Sequence, residues 1–363
     1  MDIIPISQPD LKEDEINAVI DVLKSGIIVQ GEKTKQLEQL FTEICGTRYA
    51  IAVNSGTAAL HTALHSTGIG PGDEVITSPF TFGATANSIL MVGAKPVFVD
   101  IELDSFNIDS SKIERAITKN TKAILPINLY GQPADYAELH TIAKKYNLII
   151  VEDAAQSVGS KYNNIASGNL GDLGCFSLYA TKNIMCGEGG IVTTNSKQFY
   201  EKAKLFRNHG QSENERYNYH SLGYNYRLTD IASAIGVKQV KKLTQYTKRR
   251  QAIAKKYNAA FSGLDGIRIP IVKPNRIHVF HQYTIIVTDE SKLSRDELQR
   301  YLQEKNIQTN IYYPKPLNEF DHFRSNGKFP FADRAAKQVL SIPVHPQLTD
   351  EQIDYIISTL SNI

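Results

Sequence analysis

The sequence of 363 residues is poor in cysteine, has no long apolar run and carries almost no net charge. Its three cysteines, Cys45, Cys175 and Cys186, form no even set and no C-x-x-C pair, which argues against a disulfide framework or a thiolate zinc site. No run of 18 apolar residues appears, so no transmembrane helix is expected. The net charge of +2 makes nucleic acid a poor candidate partner.

The first ten residues, MDIIPISQPD, lack the basic and apolar segments of a secretory signal peptide. Unpaired cysteines are typical of a reducing compartment. No His, Cys, Asp or Glu cluster has the spacing of metal ligands, so no metal site is predicted. We therefore expect a cytoplasmic protein, either an enzyme or a binding protein.

Seven short apolar runs predict the strands of one sheet. They are rich in Val and Ile and mostly do not alternate with polar residues, which is typical of strands buried on both faces. Helical patterns separate most of them, so we predict an α/β fold with a mainly parallel sheet. The last two runs follow each other too closely for a helix and are expected to pair antiparallel. The runs cover residues 50–53, 73–77, 96–100, 122–130, 148–153, 173–180 and 189–195.

A helix is predicted before the sheet, from Asp10 to Ser25. Asp10 and Glu13 have the spacing of a capping box, and Gly26 is expected to end the helix.

The rest of the chain predicts a second, smaller domain. A helical pattern without proline covers residues 228–261, and short strand patterns mixed with helices follow it. At roughly 100–200 residues per domain, two domains are expected. We predict a large α/β domain of residues 1–245 and a C-terminal α+β domain of residues 246–363.

In open parallel sheets, ligands bind where strands end, and four such junctions carry suitable residues. At the first, Asn54-Ser55-Gly56-Thr57, a glycine permits a tight turn and the following N–H and hydroxyl groups face a helix N-terminus. This pattern is typical of a phosphate site and also of an ordinary helix cap.

At the second junction, Asp153 directly follows a buried strand, and Gln156 lies three positions further on. A buried acid needs a cation or hydrogen-bond donors, so Asp153 is a candidate cofactor partner, with a helix N-cap as the alternative. At the third, Lys182 lies between a strand and a glycine-rich turn. A lysine close to the sheet can act as a Schiff-base nucleophile, whereas most lysines are solvated surface charges.

At the fourth junction, Phe82 follows the second run and is a candidate to stack on a flat ring or to join the core. An amine, an acid, a phosphate site and an aromatic ring are together what pyridoxal 5′-phosphate requires.

Longer motifs resemble one family, the DegT-type sugar-nucleotide aminotransferases among the fold-type-I pyridoxal-phosphate enzymes. The resemblance covers nearly the whole chain and implies a seven-stranded, mainly parallel sheet flanked by helices with a smaller C-terminal domain. The motifs that carry it are SGTAALHTAL, GIGPGDEVIT, GAKPVFVDI, LYGQPADY, VEDAAQSVGS, CFSLYATKN with GEGG, RNHG and GYNYRLTDIASA.

The resemblance also implies residue roles around the cofactor ring. Lys182 matches the lysine that forms the internal aldimine, and Asp153 matches the partner of the pyridine nitrogen. Gln156 matches a residue that contacts the ring, and Phe82 takes the place of the aromatic that stacks on it.

Phosphate ligands are implied in the same way. Gly56, Thr57 and Ser177 match ligands from the same subunit. Asn225 matches an asparagine that reaches the phosphate from the other subunit, so the resemblance implies a homodimer with shared active sites.

The implied reaction is a ping-pong transfer of an amino group from L-glutamate to a nucleotide-linked keto-sugar. Lys182 is present where related dehydratases have histidine, which favours the aminotransferase. Residues 26–32, His281 and residues 311–317 resemble regions near the sugar-nucleotide pocket. The sequence leaves open C3 or C4 amination, the nucleotide (UDP, dTDP or GDP), and glutamate or glutamine as donor. A dehydratase, an amino-acid aminotransferase and a non-catalytic regulator also remain alternatives.

Overall fold

A computed structural model describes residues 2–212, 217–325 and 327–363. The strands are β1 (Tyr49–Val53), β2 (Glu74–Thr77), β3 (Lys95–Phe98), β4 (Thr121–Ile124), β5 (Ile149–Asp153), β6 (Lys161–Tyr162), β7 (Ile165–Ala166), β8 (Leu173–Ser177), β9 (Gly190–Thr194), β10 (Ile267–Arg268), β11 (Arg276–Ile277), β12 (Tyr283–Val287) and β13 (Val339–Ile342). The α-helices are α1 (Glu13–Ser25), α2 (Glu32–Cys45), α3 (Gly56–Thr67), α4 (Gly83–Met91), α5 (Tyr136–Tyr146), α6 (Lys197–Arg207), α7 (Asp230–Phe261), α8 (Arg295–Glu304), α9 (Pro330–Gln338) and α10 (Asp350–Ser361).

The main sheet has seven strands in the order β1-β9-β8-β5-β4-β2-β3. Strand β5 runs parallel to both β4 and β8, and β2 runs parallel to β3 and β4. Strand β9 is antiparallel to both β8 and β1. The predicted α/β fold, its seven strands and the antiparallel last pair are therefore confirmed.

Both faces of the sheet are covered, which explains why its strands read as continuous apolar runs. On β1, Ile51 and Val53 face a cluster that contains α3, whereas Ala50 and Ala52 face a cluster that contains α2 and α7. Successive side chains of a strand point to opposite faces. Each position of β1 therefore has to be apolar.

The first helix begins at Glu13 and not at Asp10, so that prediction of its start is wrong. The backbone N–H of Lys12 donates to the Glu15 carboxylate at 2.9 Å, two residues later than the predicted capping pair. Asp10 instead accepts a hydrogen bond from the Tyr246 hydroxyl at 2.8 Å. The Asp10 side chain is therefore used in a tertiary contact and does not cap α1.

Three strands end two or more residues before the predicted runs do. The largest difference is at β4, which ends at Ile124, and residues 129–131 form a 3₁₀ turn. Pro126 lacks an N–H for the ladder, so the apolar run continues as irregular chain. The other two are β3, which covers residues 95–98, and β8, which covers residues 173–177.

A separate hydrophobic cluster, away from the main sheet, lies at the C-terminal half of α7. It includes Ile253, Tyr257 and Phe261 of that helix together with side chains of β12 and β13. Ile4 belongs to this cluster as well, and it pairs with Ile307, so the N-terminal segment contributes to the C-terminal unit. The domain boundary near residue 245, which falls inside α7, stays a prediction.

Asp230, the first residue of α7, ties this helix to the start of α2. Its carboxylate accepts the backbone N–H groups of Gly31 (2.8 Å), Lys33 (3.0 Å) and Thr34 (2.9 Å), and the Thr34 hydroxyl at 2.8 Å. The first N–H groups of a helix have no partner within it. Asp230 satisfies them from a position almost two hundred residues away.

We expect Asp230→Ala to lower the free energy of unfolding by about 2–4 kcal/mol, because it leaves buried N–H groups without an acceptor. Urea unfolding followed by circular dichroism measures the change. Asp354→Ala, on the exposed face of α10, is the control and should cost less than about 0.5 kcal/mol. Equal midpoints for the two variants would contradict this role of Asp230.

Candidate active site

Asp153 lies at the carboxyl end of β5 and is buried. The Thr85 hydroxyl donates to its Oδ2 at 2.8 Å, and the Ala155 N–H donates to Oδ1 at 3.2 Å. Burial raises the pKa of Asp153, while these two donors and the charge of Lys182 act in the opposite direction. A further cationic partner would therefore stabilise the charged form of this carboxylate.

Lys182 follows β8, the strand next to β5 in the sheet. Parallel pairing places Asp153 opposite Cys175, and the chain then turns so that the Lys182 N–H donates to the Tyr179 carbonyl at 2.9 Å. Burial lowers the pKa of the Lys182 amine to about 8, and the charge of Asp153 opposes that shift. The sheet thus brings the predicted amine and acid within electrostatic range of each other.

The start of α3 and the end of β8 meet closely. A Cβ atom on Gly56 would lie 2.8 Å from the Ser177 Cβ, so only glycine fits there. The Ser55 hydroxyl caps α3 by accepting the Ala58 N–H at 3.1 Å, and Thr57 lies in the first helical turn. The structure therefore brings Gly56, Thr57 and Ser177 together at a helix N-terminus, where anions are stabilised.

Gln156 and Phe82 lie on either side of Tyr313, which the sequence did not single out. Gln156 accepts the Tyr130 N–H at 2.7 Å and donates to the Tyr313 hydroxyl at 3.2 Å. The Phe82 ring is 63% exposed, and its centroid lies 6.4 Å from that of Tyr313. Burial raises the pKa of Tyr313, and so does the charge of Asp153, which places this ring beside the acid.

Asn225 lies on the surface. Its carbonyl accepts the Asn54 side-chain N–H at 3.3 Å, next to the start of α3. The neighbouring rings of Tyr224 and Tyr226 stack on each other, with their centroids 5.1 Å apart. Because alternate residues of an extended segment share a face, Asn225 projects away from these rings. Its predicted role toward a second subunit stays a prediction.

His281 is buried, and its Nδ1 lies 3.1 Å from the Asn183 side-chain oxygen, one residue beyond Lys182. Burial and the positive charge of Lys182 lower the pKa of His281 well below its usual value. The resemblance named His281 itself as lying near the sugar-nucleotide pocket, whereas it covered Tyr313 only as part of residues 311–317. Nothing in the sequence signalled Thr85, which lies 68 residues from the acid it contacts.

Glu152, next to Asp153, faces the other side of β5. It accepts the Gly168 and Leu170 N–H groups at 2.8 Å and 3.2 Å and the Asn128 side-chain N–H at 2.7 Å. Burial raises its pKa to about 7, while these donors lower it. Glu152 thus holds a loop against the sheet and is separate from the predicted cofactor site.

The described residues contain no group of three or more His, Cys, Asp or Glu side chains that could hold a metal ion. Within the same residues, no helix combines the length and apolar character needed to cross a membrane. All three cysteines are free and buried.

Residues 9–361 match the DegT/DnrJ/EryC1/StrS aminotransferase family, and the chain belongs to this family. It is 36% identical to the UDP-2-acetamido-2-deoxy-3-oxo-D-glucuronate aminotransferase of Pseudomonas aeruginosa, with 96% of each chain covered. It is 40% identical to a pleiotropic regulatory protein of Geobacillus stearothermophilus, with 97% of this chain and 94% of the relative covered. The crystal structure of S. venezuelae DesV in complex with a ketimine intermediate has a TM-score of 0.95 and 34% identity, with 100% and 98% covered. The predicted family and enzyme class, aminotransferase, are therefore confirmed.

The lowered pKa of Lys182 predicts its reactivity in the cofactor-free protein. Below pH 8 the amine is mostly protonated and unreactive, and labelling by an amine-specific reagent should rise with a midpoint near pH 8. Mass spectrometry of the Lys182 peptide measures this midpoint. In Asp153→Asn the midpoint should move lower still, because the carboxylate charge raises the pKa of the amine. A midpoint at the ordinary lysine value of about 10.4 would contradict the geometry.

Proposed function

We propose that this protein is a pyridoxal-phosphate aminotransferase that moves an amino group from L-glutamate to a nucleotide-linked keto-sugar in two successive half-reactions. The observation that carries the proposal is the electrostatic interaction between Asp153, at the end of β5, and Lys182, beyond the end of the neighbouring β8. Membership of the aminotransferase family supports it. The relative that acts on a UDP-linked 3-oxo sugar supports the class of acceptor.

The residues present fit the cofactor. The close approach of Gly56 to Ser177 places the Ser177 side chain beside the N-terminus of α3, a position suited to the phosphate. Phe82 presents an exposed ring surface for stacking. Asp153 is buried with only neutral hydrogen-bond donors on its oxygens, as a partner for a protonated pyridine nitrogen requires.

When bound, the cofactor supplies an electron sink that stabilises a carbanion at the donor carbon. Asp153 holds the proton on the pyridine nitrogen. Lys182 moves a proton through Nζ, and its pKa of about 8 leaves part of the amine unprotonated at neutral pH. Gly56, Thr57 and Ser177 would hold the phosphate independently of Lys182. The cofactor would therefore stay bound when its covalent link to Lys182 is broken.

Lys182 and Asp153 also distinguish this function from a regulatory one. The name of the Geobacillus stearothermophilus relative raises the possibility of a regulator with this fold. A lysine whose pKa is lowered by burial destabilises the folded state at neutral pH. A protein without a use for that amine has no physical reason to keep it there.

We further propose a cytoplasmic homodimer. The free, buried cysteines support a reducing compartment. The surface position of Asn225 beside Asn54, close to the start of α3, supports its reaching a second subunit.

The reaction is tested with the two half-reactions separately. Purified protein loaded with the cofactor should be yellow, and glutamate should bleach that colour and yield 2-oxoglutarate. Glutamine and alanine test the choice of donor. Mass spectrometry with C3- and C4-keto sugars on UDP, dTDP and GDP then identifies the acceptor. Loss of water from the sugar without a gain of nitrogen would instead show a dehydratase, and turnover with an amino acid and a 2-oxo acid in place of the keto-sugar would show an amino-acid aminotransferase.

Lys182→Ala should lose the yellow absorbance and turnover while keeping its fold, because it removes the amine that binds the cofactor covalently. Absorbance, turnover and circular dichroism together measure this. Lys35→Ala, at an exposed position of α2, is the control and should stay yellow and active. A colourless wild type that gains no such band with added cofactor would refute the assignment.

The shared site predicts complementation between two inactive variants. In a mixed dimer of Lys182→Ala and Asn225→Ala, one site would contain both substitutions and the other site neither. Mixing the two variants under conditions that exchange subunits should therefore restore part of the turnover that each lacks alone. If Asn225 acted within its own subunit, every site of the mixed dimer would keep one defect and no turnover would return.

A further inference from the structure

Residues 278–282, here called the bridging turn, connect the C-terminal unit to both sides of the candidate site. On one side, the Asn183 side-chain N–H donates to the Val279 carbonyl at 3.4 Å, and its oxygen lies 3.1 Å from His281 Nδ1. The amide nitrogen can only donate, so its oxygen accepts and Nδ1 of His281 carries the proton. Asn183 is the residue next to Lys182, so the bridging turn fixes the chain that carries the amine.

On the other side, the bridging turn holds the segment that contacts Gln156. Val279 donates to the Gly131 carbonyl at 3.0 Å, and Gln282 donates to the Tyr130 carbonyl at 3.3 Å. Gly131 is enclosed by this contact, since a Cβ atom there would lie 2.8 Å from the Val279 side chain. The Tyr130 N–H in turn donates to Gln156.

The backbone of the bridging turn is in a conformation that needs support. Phe280 has a φ of 46°, in the left-handed region that residues other than glycine rarely adopt. The Phe280 N–H donates to His278 Nδ1 at 2.9 Å, and the rings of Phe280 and His278 stack with their centroids 4.0 Å apart. A strained backbone of this kind persists only when its surroundings hold it in place.

Helix α7 supplies that support through two consecutive residues. Gln251 donates to the His278 carbonyl at 3.0 Å. Arg250 is buried and donates through Nη1 to the carbonyls of Phe280 (3.2 Å), His281 (3.4 Å) and Val344 (3.5 Å). No carboxylate of the described chain forms an ion pair with Arg250, so backbone carbonyls alone compensate its charge.

We propose that Arg250 is a positioning residue that acts through the bridging turn to set the placement of Lys182 and Gln156 at the same time. A buried guanidinium without a carboxylate partner is costly unless its donors are used. Here Nη1 holds a strained turn whose two flanks lead to the amine and to a residue expected at the cofactor ring, while the buried Nε has no hydrogen-bond partner. This inference rests on the proposed function for the meaning of the site, and its geometry rests on the contacts above.

The charged groups around the bridging turn agree with a link between this turn and Lys182. The groups that act on His281 are Lys182, Arg250 and His278, and each lowers its pKa, as burial does. A neutral His281 can donate through Nδ1 to Asn183 and adds no positive charge beside the Lys182 amine. On Lys182 itself, burial and Asp153 are the two influences.

The test substitutes Arg250 with Met, which keeps an apolar stem and removes the donors. Arg249→Met is the matched control, because Arg249 is the preceding residue of α7 and donates to the Leu348 carbonyl at 2.7 Å instead. Three quantities are measured: the pH midpoint of Lys182 labelling in the cofactor-free protein, turnover of the loaded enzyme, and the urea midpoint. Arg250→Lys, which retains one charged donor group, tests partial rescue.

We expect Arg250→Met to raise the labelling midpoint from about 8 toward the ordinary lysine value, because a loosened turn lets water reach the amine. Turnover should fall about 10- to 100-fold, as expected when a reacting group is misplaced. Arg249→Met should change neither quantity, and Arg250→Lys should recover part of both.

A lower urea midpoint for Arg250→Met with an unchanged labelling midpoint and turnover would show a merely structural role and overturn the proposal. If Arg250→Met does not fold, His281→Phe decides the question, because it removes only the bond to Asn183. An unchanged labelling midpoint in that variant would overturn the proposal. A wild type that binds no cofactor at Lys182 would refute the proposed function instead, which is a different result.

Discussion

The parallel pairing of β5 and β8 is the constraint on which the candidate site depends. It brings an acid at the end of one strand and an amine beyond the end of the next into electrostatic range of each other. Without the other, each group would be less stable in its charged form, because burial disfavours that form of both. The charge of each group favours the charged form of the other. The Thr85 hydroxyl donates to the acid, and Tyr313, which Gln156 binds, lies within electrostatic range of it.

The sheet could be predicted because its strands are buried on both faces and therefore consist of Val and Ile with few polar residues. The closeness of Asp153 and Lys182 could be predicted for the opposite reason, since they are ionisable residues at or shortly beyond the ends of such strands. The start of α1 could not, because Asp10 is bound by Tyr246 of a distant helix. Thr85, Tyr313 and the Asn183–His281 pair were missed for the same kind of reason. Their partners lie far along the chain, and no local pattern specifies such contacts.

The two halves of the chain do not contribute separately to the site. The C-terminal unit supplies Tyr313 to the pocket, and through residues 278–282 it also holds the segments that carry Lys182 and Gln156. Helix α7 links these parts, because its first residue binds α2 and its middle residues bind the turn. A substitution far from the expected cofactor can therefore alter the site by moving this framework.

The most direct test of the account is to fix the cofactor chemically and find where it is bound. Yellow protein loaded with pyridoxal 5′-phosphate is reduced with borohydride, digested and analysed by mass spectrometry. The added pyridoxyl phosphate mass is expected on the peptide that contains Lys182. The same modification on another lysine, or on none, would contradict it.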